Sequence, residues 1–276
     1  TPEERRAVID TVIDQAAGLP VIVGVSDAGM RNLTDLAAHA MDRGAAGVMA
    51  APAAGPARED RIEGYFRAVA QALGPDVPMV FQDFPLATGL PVSAALIRRL
   101  SSDLPQMVML KHEDAPGLRK LSQIRTWPDT GGRRISILVG NGGLHLPQEL
   151  RRGADGAMTG FAYPEALVQT VALHRAGQPD AAEDFFDRYL PILRHEQQPG
   201  FGLAVRKHVL MRRGAIASAD GFQARLRLGR FAGMVSGDEN DYFLRSFAAL
   251  GISDAARAAI PDSAPTAGFQ AIMREA

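Results

Sequence analysis

Short apolar runs recur along the chain, separated by longer stretches in which apolar positions return every three or four residues. The runs are PVIVGV (20–25), AGVMA (46–50), PMVFQ (78–82), MVMLK (107–111), ISILVG (135–140) and DGAMTG (155–160), bounded mostly by Gly, Pro, Asp or Asn. Each reads as a strand. Between them NLTDLAAHAMDRG, EDRIEGYFRAVAQALG, SAALIRRLSS and LHLPQELRRG read as amphipathic helices, several closing on glycine as helix C-termini do. Strands alternating with helices predict an α/β fold of parallel strands joined by crossover helices.

A doubly wound nucleotide-binding sheet carries a glycine-rich turn after its first strand, and the GVSDAGMRN found there lacks the GxGxxG spacing. The expectation is therefore a (β/α)8 TIM barrel. Six strands are visible where a closed barrel needs about eight, and an open barrel leaves unpaired edges. The first two βα units are thus expected to be missing from this chain. TPEER supports that expectation: Thr1 suits a helix cap, Pro2 the first helical position and Glu4 the closing residue of a capping box, so the chain starts as if cut from something longer. Residues 1–177 are expected to form the N-terminally incomplete barrel. Residues 178–276 are expected to form a C-terminal helical region, from DAAEDFFDRYLPILRHEQ and FGLAVRKHVLMRRG onward, with a weaker signal beyond Ala215.

Composition narrows the function. With 276 residues, 46% hydrophobic and 22% charged, and a formal net charge of −1, the chain reads as an ordinary globular protein with no nucleic-acid or membrane partner. It has no cysteine, which excludes disulfides, thiolate metal sites and a cysteine nucleophile. His145, His174, His195 and His208 are dispersed without metal-ligand spacing, so no metal site is expected. No signal-like or membrane-spanning stretch is present, which makes cytoplasm the expected location.

The residues that carry chemistry begin with QMVMLKHED (106–114), an apolar run that ends in a lysine. Barrel active sites lie at the C-terminal ends of the strands, where Lys111 falls. Alternation places Met107, Met109 and Lys111 on one face. An inward lysine at the barrel mouth is partly desolvated, which favours the free amine, and a free amine attacks a carbonyl to form a Schiff base. The competing interpretation is a lysine that begins a loop and pairs with Glu113 or Asp114 in water.

From Thr1 to about Ile216, the chain resembles the dihydrodipicolinate synthase and N-acetylneuraminate lyase family of class I aldolases, through PVIVGVSD, GAAGVMAAP, EGYF, PMVFQDFPLATG, VMLKHED, ILVGNGG and GADGAMTG in that order. The resemblance implies that Lys111 ends the sixth barrel strand and forms the Schiff base with pyruvate or a related 2-oxo acid. It also implies a homo-oligomer, dimer or tetramer, and no cofactor. Three departures stand out. Gln82 occupies the position of the family's catalytic tyrosine, and an amide orients a ligand but relays no proton. Ala53 and Ala54 replace a supporting tyrosine pair, and Ala87 replaces the arginine with which the synthase holds its second substrate. These departures speak against dihydrodipicolinate synthesis. The loop that binds the 2-oxo acid carboxylate in that family would belong to the absent leading segment.

Asp83, His112, Glu113 and Tyr163 lie at or beyond strand ends and are the candidates for proton transfer. Alternation turns Asp83 and His112 outward, and Tyr163 in GFAYPE is the preferred replacement hydroxyl, against a tyrosine that packs the start of the next helix. Asn141, Thr159 and Gly160, with Asp83, are the expected substrate-binding residues. GNGG (140–143) and GADGAMTG (153–160) serve tight turns, line the substrate or form a phosphate site. The expected function is a class I lyase, aldolase or dehydratase, acting on a 2-oxo acid, possibly sugar-acid derived, through Lys111. The alternatives are a non-catalytic or regulatory carbonyl-binding relative and a flavin-dependent oxidoreductase barrel.

Overall fold

The computed structural model describes residues 1–52, 58–115, 117–199 and 202–217. Ala53, Ala54 and residues 218–276 of the expected helical region lie outside them. The chain divides into two compact units, Thr1–Gly140 with Arg151–Met158, and Asn141–Leu150 with the residues from Thr159 onward. The expected boundary at 177/178 falls inside the second unit.

The first unit alternates helix and strand: α1 (Pro2–Gln15), β1 (Ile22–Gly24), α2 (Met30–Asp42), β2 (Gly47–Ala50), α3 (Glu59–Leu73), β3 (Met79–Asp83), α4 (Pro85–Thr88), α5 (Ala94–Asp103), β4 (Met107–His112), α6 (Leu118–Arg125) and β5 (Ser136–Val139). After the second unit's α7 (Leu146–Arg151), it closes with β6 (Gly156–Ala157). All six strands are parallel and hydrogen-bonded in chain order, β1 to β6. A doubly wound sheet reverses its strand order midway, and this sheet does not. The sixth strand is shorter than the expected 155–160, although Asp155 and Met158 extend its ladder by single backbone bonds to Ile137 and Val139.

Thr1 caps α1 as its sequence predicts, with the Glu4 amide donating to Thr1 Oγ1 and Glu4 bonding back to the terminal amine. The helices bury stripes at helical spacing, Leu33, Leu36, Ala37 and Ala40 on α2 and Ile62, Phe66, Val69 and Ala70 on α3. Phe66 stacks on Phe81 of β3 with ring centroids 4.2 Å apart, which fixes the face of β3 that carries Phe81 as the one turned to the helices. Along the outer edge of β1, α1 and residues 21–24 line an apolar groove in which Val8 and Val12 are exposed.

One expectation about β4 is corrected. Met79 pairs with Met107 but Val80 pairs with Met109, so Val108 is an extra residue in a β-bulge. Met107 and Met109 therefore occupy opposite faces. Regular alternation resumes at Met109 and carries through to Lys111, which keeps the expected face. Among the described residues no helix is long and apolar enough to cross a membrane.

The second unit contains α7, α8 (Pro164–Arg175), α9 (Pro179–Asp187), α10 (Leu190–Glu196) and α11 (Gly202–Arg212). In it α8 packs against α9, and α10 against α11.

Candidate active site

Register brings the site together. Gln82 is the pairing partner of Lys111, and Asp83 of His112, so adjacent strand ends present two polar layers on opposite faces. On the face away from Phe81 stand Gln82 and Lys111. Glu113, two residues beyond Lys111, continues the ladder through its amide to the Asp83 carbonyl at 2.8 Å and so returns its side chain to the Lys111 face.

There Glu113 Oε2 accepts a hydrogen bond from Gln82 Nε2 at 2.7 Å and lies 3.4 Å from Lys111 Nζ. The Lys111 and Glu113 side chains are only 15% and 6% exposed. The pairing of Lys111 with Glu113 is therefore real, but it is nearly dry. A carboxylate at that distance, screened from water, both balances the ammonium and supplies a proton acceptor next to whatever carbon the amine engages.

Gly140, at the end of β5, makes room for that carboxylate. A Cβ built on it would overlap Glu113 Cγ and Oε1, closer than any non-bonded contact allows. Gly140→Ala is accordingly expected to swing Glu113 away from Lys111 and to lower turnover at least about tenfold while the protein stays folded. Steady-state rates set beside a thermal melt check this, and an unimpaired Gly140→Ala enzyme counts against a role for Glu113.

Asp83, expected among the substrate-binding residues, is fully buried on the helix-facing side and accepts a bond from Lys120 Nζ at 2.8 Å. His112 is buried on that side too. Ala87 lies within α4.

Asn141, Thr159, Gly160 and Tyr163 belong to the second unit. Asn141 holds a left-handed φ of 51°, a conformation asparagine tolerates. The next amide, Gly142 N–H, donates to Thr159 Oγ1 at 2.7 Å, so Asn141 and Thr159 are neighbours in one loop cluster. Gly160 lies against Arg206, whose Nη1 would be 2.5 Å from a Cβ there. Arg206 is held by the buried Glu196 at 2.8 Å, and the other oxygen of Glu196 accepts from the Ala162 amide. Burial pushes the Glu196 carboxyl up, against the pull of Arg206.

Tyr163 sits at the N-cap of α8, 7% exposed, packed near Phe161 and Tyr189, with the Arg213 guanidinium 4.5 Å above its ring. Burial pushes its hydroxyl up to about 12, only partly offset by Arg213, which keeps it a neutral phenol near neutral pH. Tyr163→Phe is expected to keep turnover within about threefold of wild type, and a loss of two orders of magnitude would restore it as a proton carrier.

Sequence reasoning weighed Glu113 but preferred Tyr163; it took Gly140 only as part of the GNGG loop and Arg206 only as part of a basic helix face, and it did not single out Lys120 or Glu196. The spacing of Glu113, two residues from Lys111, is the signal that points to it. Among the described residues no cluster of three or more His, Cys, Asp or Glu side chains is arranged to hold a metal ion.

The sequence pattern of the dihydrodipicolinate synthetase family matches residues 1–219. An L-2-keto-3-deoxyarabonate dehydratase from Azospirillum brasilense is 30% identical over 224 residues, covering 79% of this chain and 70% of its own length. A 4-hydroxy-tetrahydrodipicolinate synthase from Thermus thermophilus is 32% identical over 164 residues, 59% of this chain; the chain spans 53% of that relative. The crystal structure of a dihydrodipicolinate synthase from Rhodopseudomonas palustris superposes with a TM-score of 0.82 at 42% identity, covering 91% of this chain and 81% of that one.

Proposed function

Since the chain belongs to the dihydrodipicolinate synthetase family, we propose that it is a Schiff-base lyase that dehydrates a 3-deoxy-2-oxo sugar acid, with Lys111 as nucleophile and Glu113 as the proton carrier. The observation that carries this reading is the meeting of Lys111, Glu113 and Gln82 at the ends of β3 and β4, at 3.4 and 2.7 Å. The dehydratase relative supports the substrate class.

In this mechanism the Lys111 amine adds to the C2 carbonyl and water leaves, giving an iminium that draws electrons from C3. The Glu113 carboxylate takes a C3 proton, and the electron pair moves into an enamine. That pair then expels the hydroxyl on C4, which departs as water with the proton returned by Glu113. Hydrolysis of the conjugated iminium frees Lys111 and an unsaturated 2-oxo acid. Gln82 holds the Glu113 carboxylate and relays no proton, so one carboxylate does the work that the family assigns to a tyrosine. An aldolase would break the C3–C4 bond instead, and the product distinguishes the two.

The proposal extends to a closed eight-stranded barrel with two further βα units ahead of β1, a reading supported by the outer edge of β1, which pairs with no strand among the described residues, and by its apolar groove. Within it residues 1–177 supply barrel units and residues 178–276 a helical region. A cytoplasmic homo-oligomer, dimer or tetramer, completes the proposal.

Borohydride reduction in the presence of pyruvate tests the central step. A mass increase mapped to the Lys111 peptide is expected. Absence of any adduct with pyruvate and with a panel of 3-deoxy-2-oxo sugar acids would leave a binding role without Schiff-base chemistry instead.

A further inference from the structure

Behind the Lys111 face, a second polar set is buried between β3, β4 and the start of α6. The Asp83 and His112 side chains are both fully buried, with His112 Nδ1 3.5 Å from Asp83 Oδ2. His112 Nε2 donates to the Gly117 carbonyl at 3.1 Å. Gly117 caps α6 at a φ of 40°, and a Cβ there would collide with the Asp114 carbonyl and with His112 Nε2, so glycine alone lets the helix start over the imidazole. Once started there, α6 brings Lys120 back toward the strands. Its Nζ lies 2.8 Å from Asp83 Oδ2 and 2.7 Å from Asp114 Oδ2.

A cation in the first turn of a helix is opposed by the helix dipole, so the two carboxylates are what hold Lys120 in place. Asp83 depends on it in turn, because its Oδ1 finds no hydrogen-bond partner among the described residues and a buried carboxylate without a donor is strongly disfavoured. The two anchors are neighbours of the proposed machinery in sequence, Asp83 next to Gln82 and Asp114 next to Glu113.

We propose that Lys120 is a positioning residue: by tying Asp83 to Asp114 it fixes the two strand ends at which Gln82 meets Glu113, and so holds the Glu113 carboxylate beside Lys111. This role rests on the Schiff-base function proposed above. Two readouts on the same preparations separate the two ideas. Borohydride trapping of pyruvate reports the amine of Lys111, and exchange of pyruvate C3 protons in D2O reports proton transfer.

Lys120→Met is expected to keep the Lys111 adduct and to lose about tenfold in exchange per trapped site, the scale expected when a reacting group is displaced by a fraction of an ångström. Asp114→Asn leaves the buried Asp83–Lys120 pair intact and is expected to lose about threefold by the same measure. This variant decides the matter should Lys120→Met fail to fold. Exchange per trapped site unchanged in either folded variant overturns the positioning role while leaving the Schiff base standing. A fall in adduct and exchange in parallel with the folded fraction also overturns it, since that is what a purely structural contact gives. No adduct in the wild-type protein refutes the Schiff-base function, and this role with it.

Discussion

Replacing Lys111 with alanine is expected to abolish the borohydride adduct and to lower turnover by on the order of a thousandfold or more, since the proposed mechanism forms its covalent intermediate on that amine. Alanine also removes the ammonium beside a Glu113 that is only 6% exposed, and breaking a buried pair is destabilising by about 3–5 kcal/mol. Lost activity in Lys111→Ala could therefore reflect lost fold. Lys111→Arg separates the two causes, because a guanidinium keeps the charge next to Glu113 but does not add to a carbonyl at neutral pH. The arginine variant is expected to melt near the wild-type temperature and to be equally inactive. Retained turnover in either variant, on any 3-deoxy-2-oxo sugar acid the wild type converts, would remove Lys111 from the mechanism.

The second large effect is expected at Glu113. Glu113→Gln preserves shape and still accepts the hydrogen bond from Gln82, which reaches Oε2 at 2.7 Å in the native protein, but the amide neither takes nor gives the proton. Turnover should fall by about 10²- to 10⁴-fold, the usual contribution of a positioned acid or base. Borohydride trapping of pyruvate on Lys111 should survive, because forming the adduct does not require the C3 proton to move. Measured side by side, the two assays assign the carboxylate to the step after the Schiff base. If Glu113→Gln turns over within about threefold of wild type, the carboxylate is a structural partner only and another group must carry the proton.

The two roles were unequally legible in the sequence. Lys111 stood out because an apolar run of strand composition ends in it where barrel active sites lie; a lysine that merely begins a loop fits the same run, and it was the matching motifs on either side that set it in a known frame. Glu113 lies two positions further on, and its face follows from alternation only if the ladder continues past His112. The structure shows that it does, through the Glu113 amide and the Asp83 carbonyl. The competing reading of Lys111 left its partner open between Glu113 and Asp114 and placed the pair in water. The structure pairs it with Glu113 at 3.4 Å with both side chains nearly buried, because burial depends on Gln82 and Gly140 arriving from other strands. Tyr163 turns on the same kind of packing: a hydroxyl after the last strand is available or buried according to the helices around it, and here Phe161, Tyr189 and Arg213 surround it.

What the sequence determined by itself was the succession of elements and the place of Lys111 at a strand end. Strand and helix periods, caps and glycine stops are local, written within ten or so residues, and the six parallel strands in chain order follow from them. Tertiary structure alone decided which side chains meet. The bulge at Val108 sets how β4 registers against β3, and that register puts Gln82 opposite Lys111. Gly117, by admitting the ring of His112, sets where α6 begins and hence where Lys120 ends its reach. Such meetings join residues about thirty positions apart, and distances across a sheet are fixed by hydrogen-bond register and close packing, which no local pattern encodes.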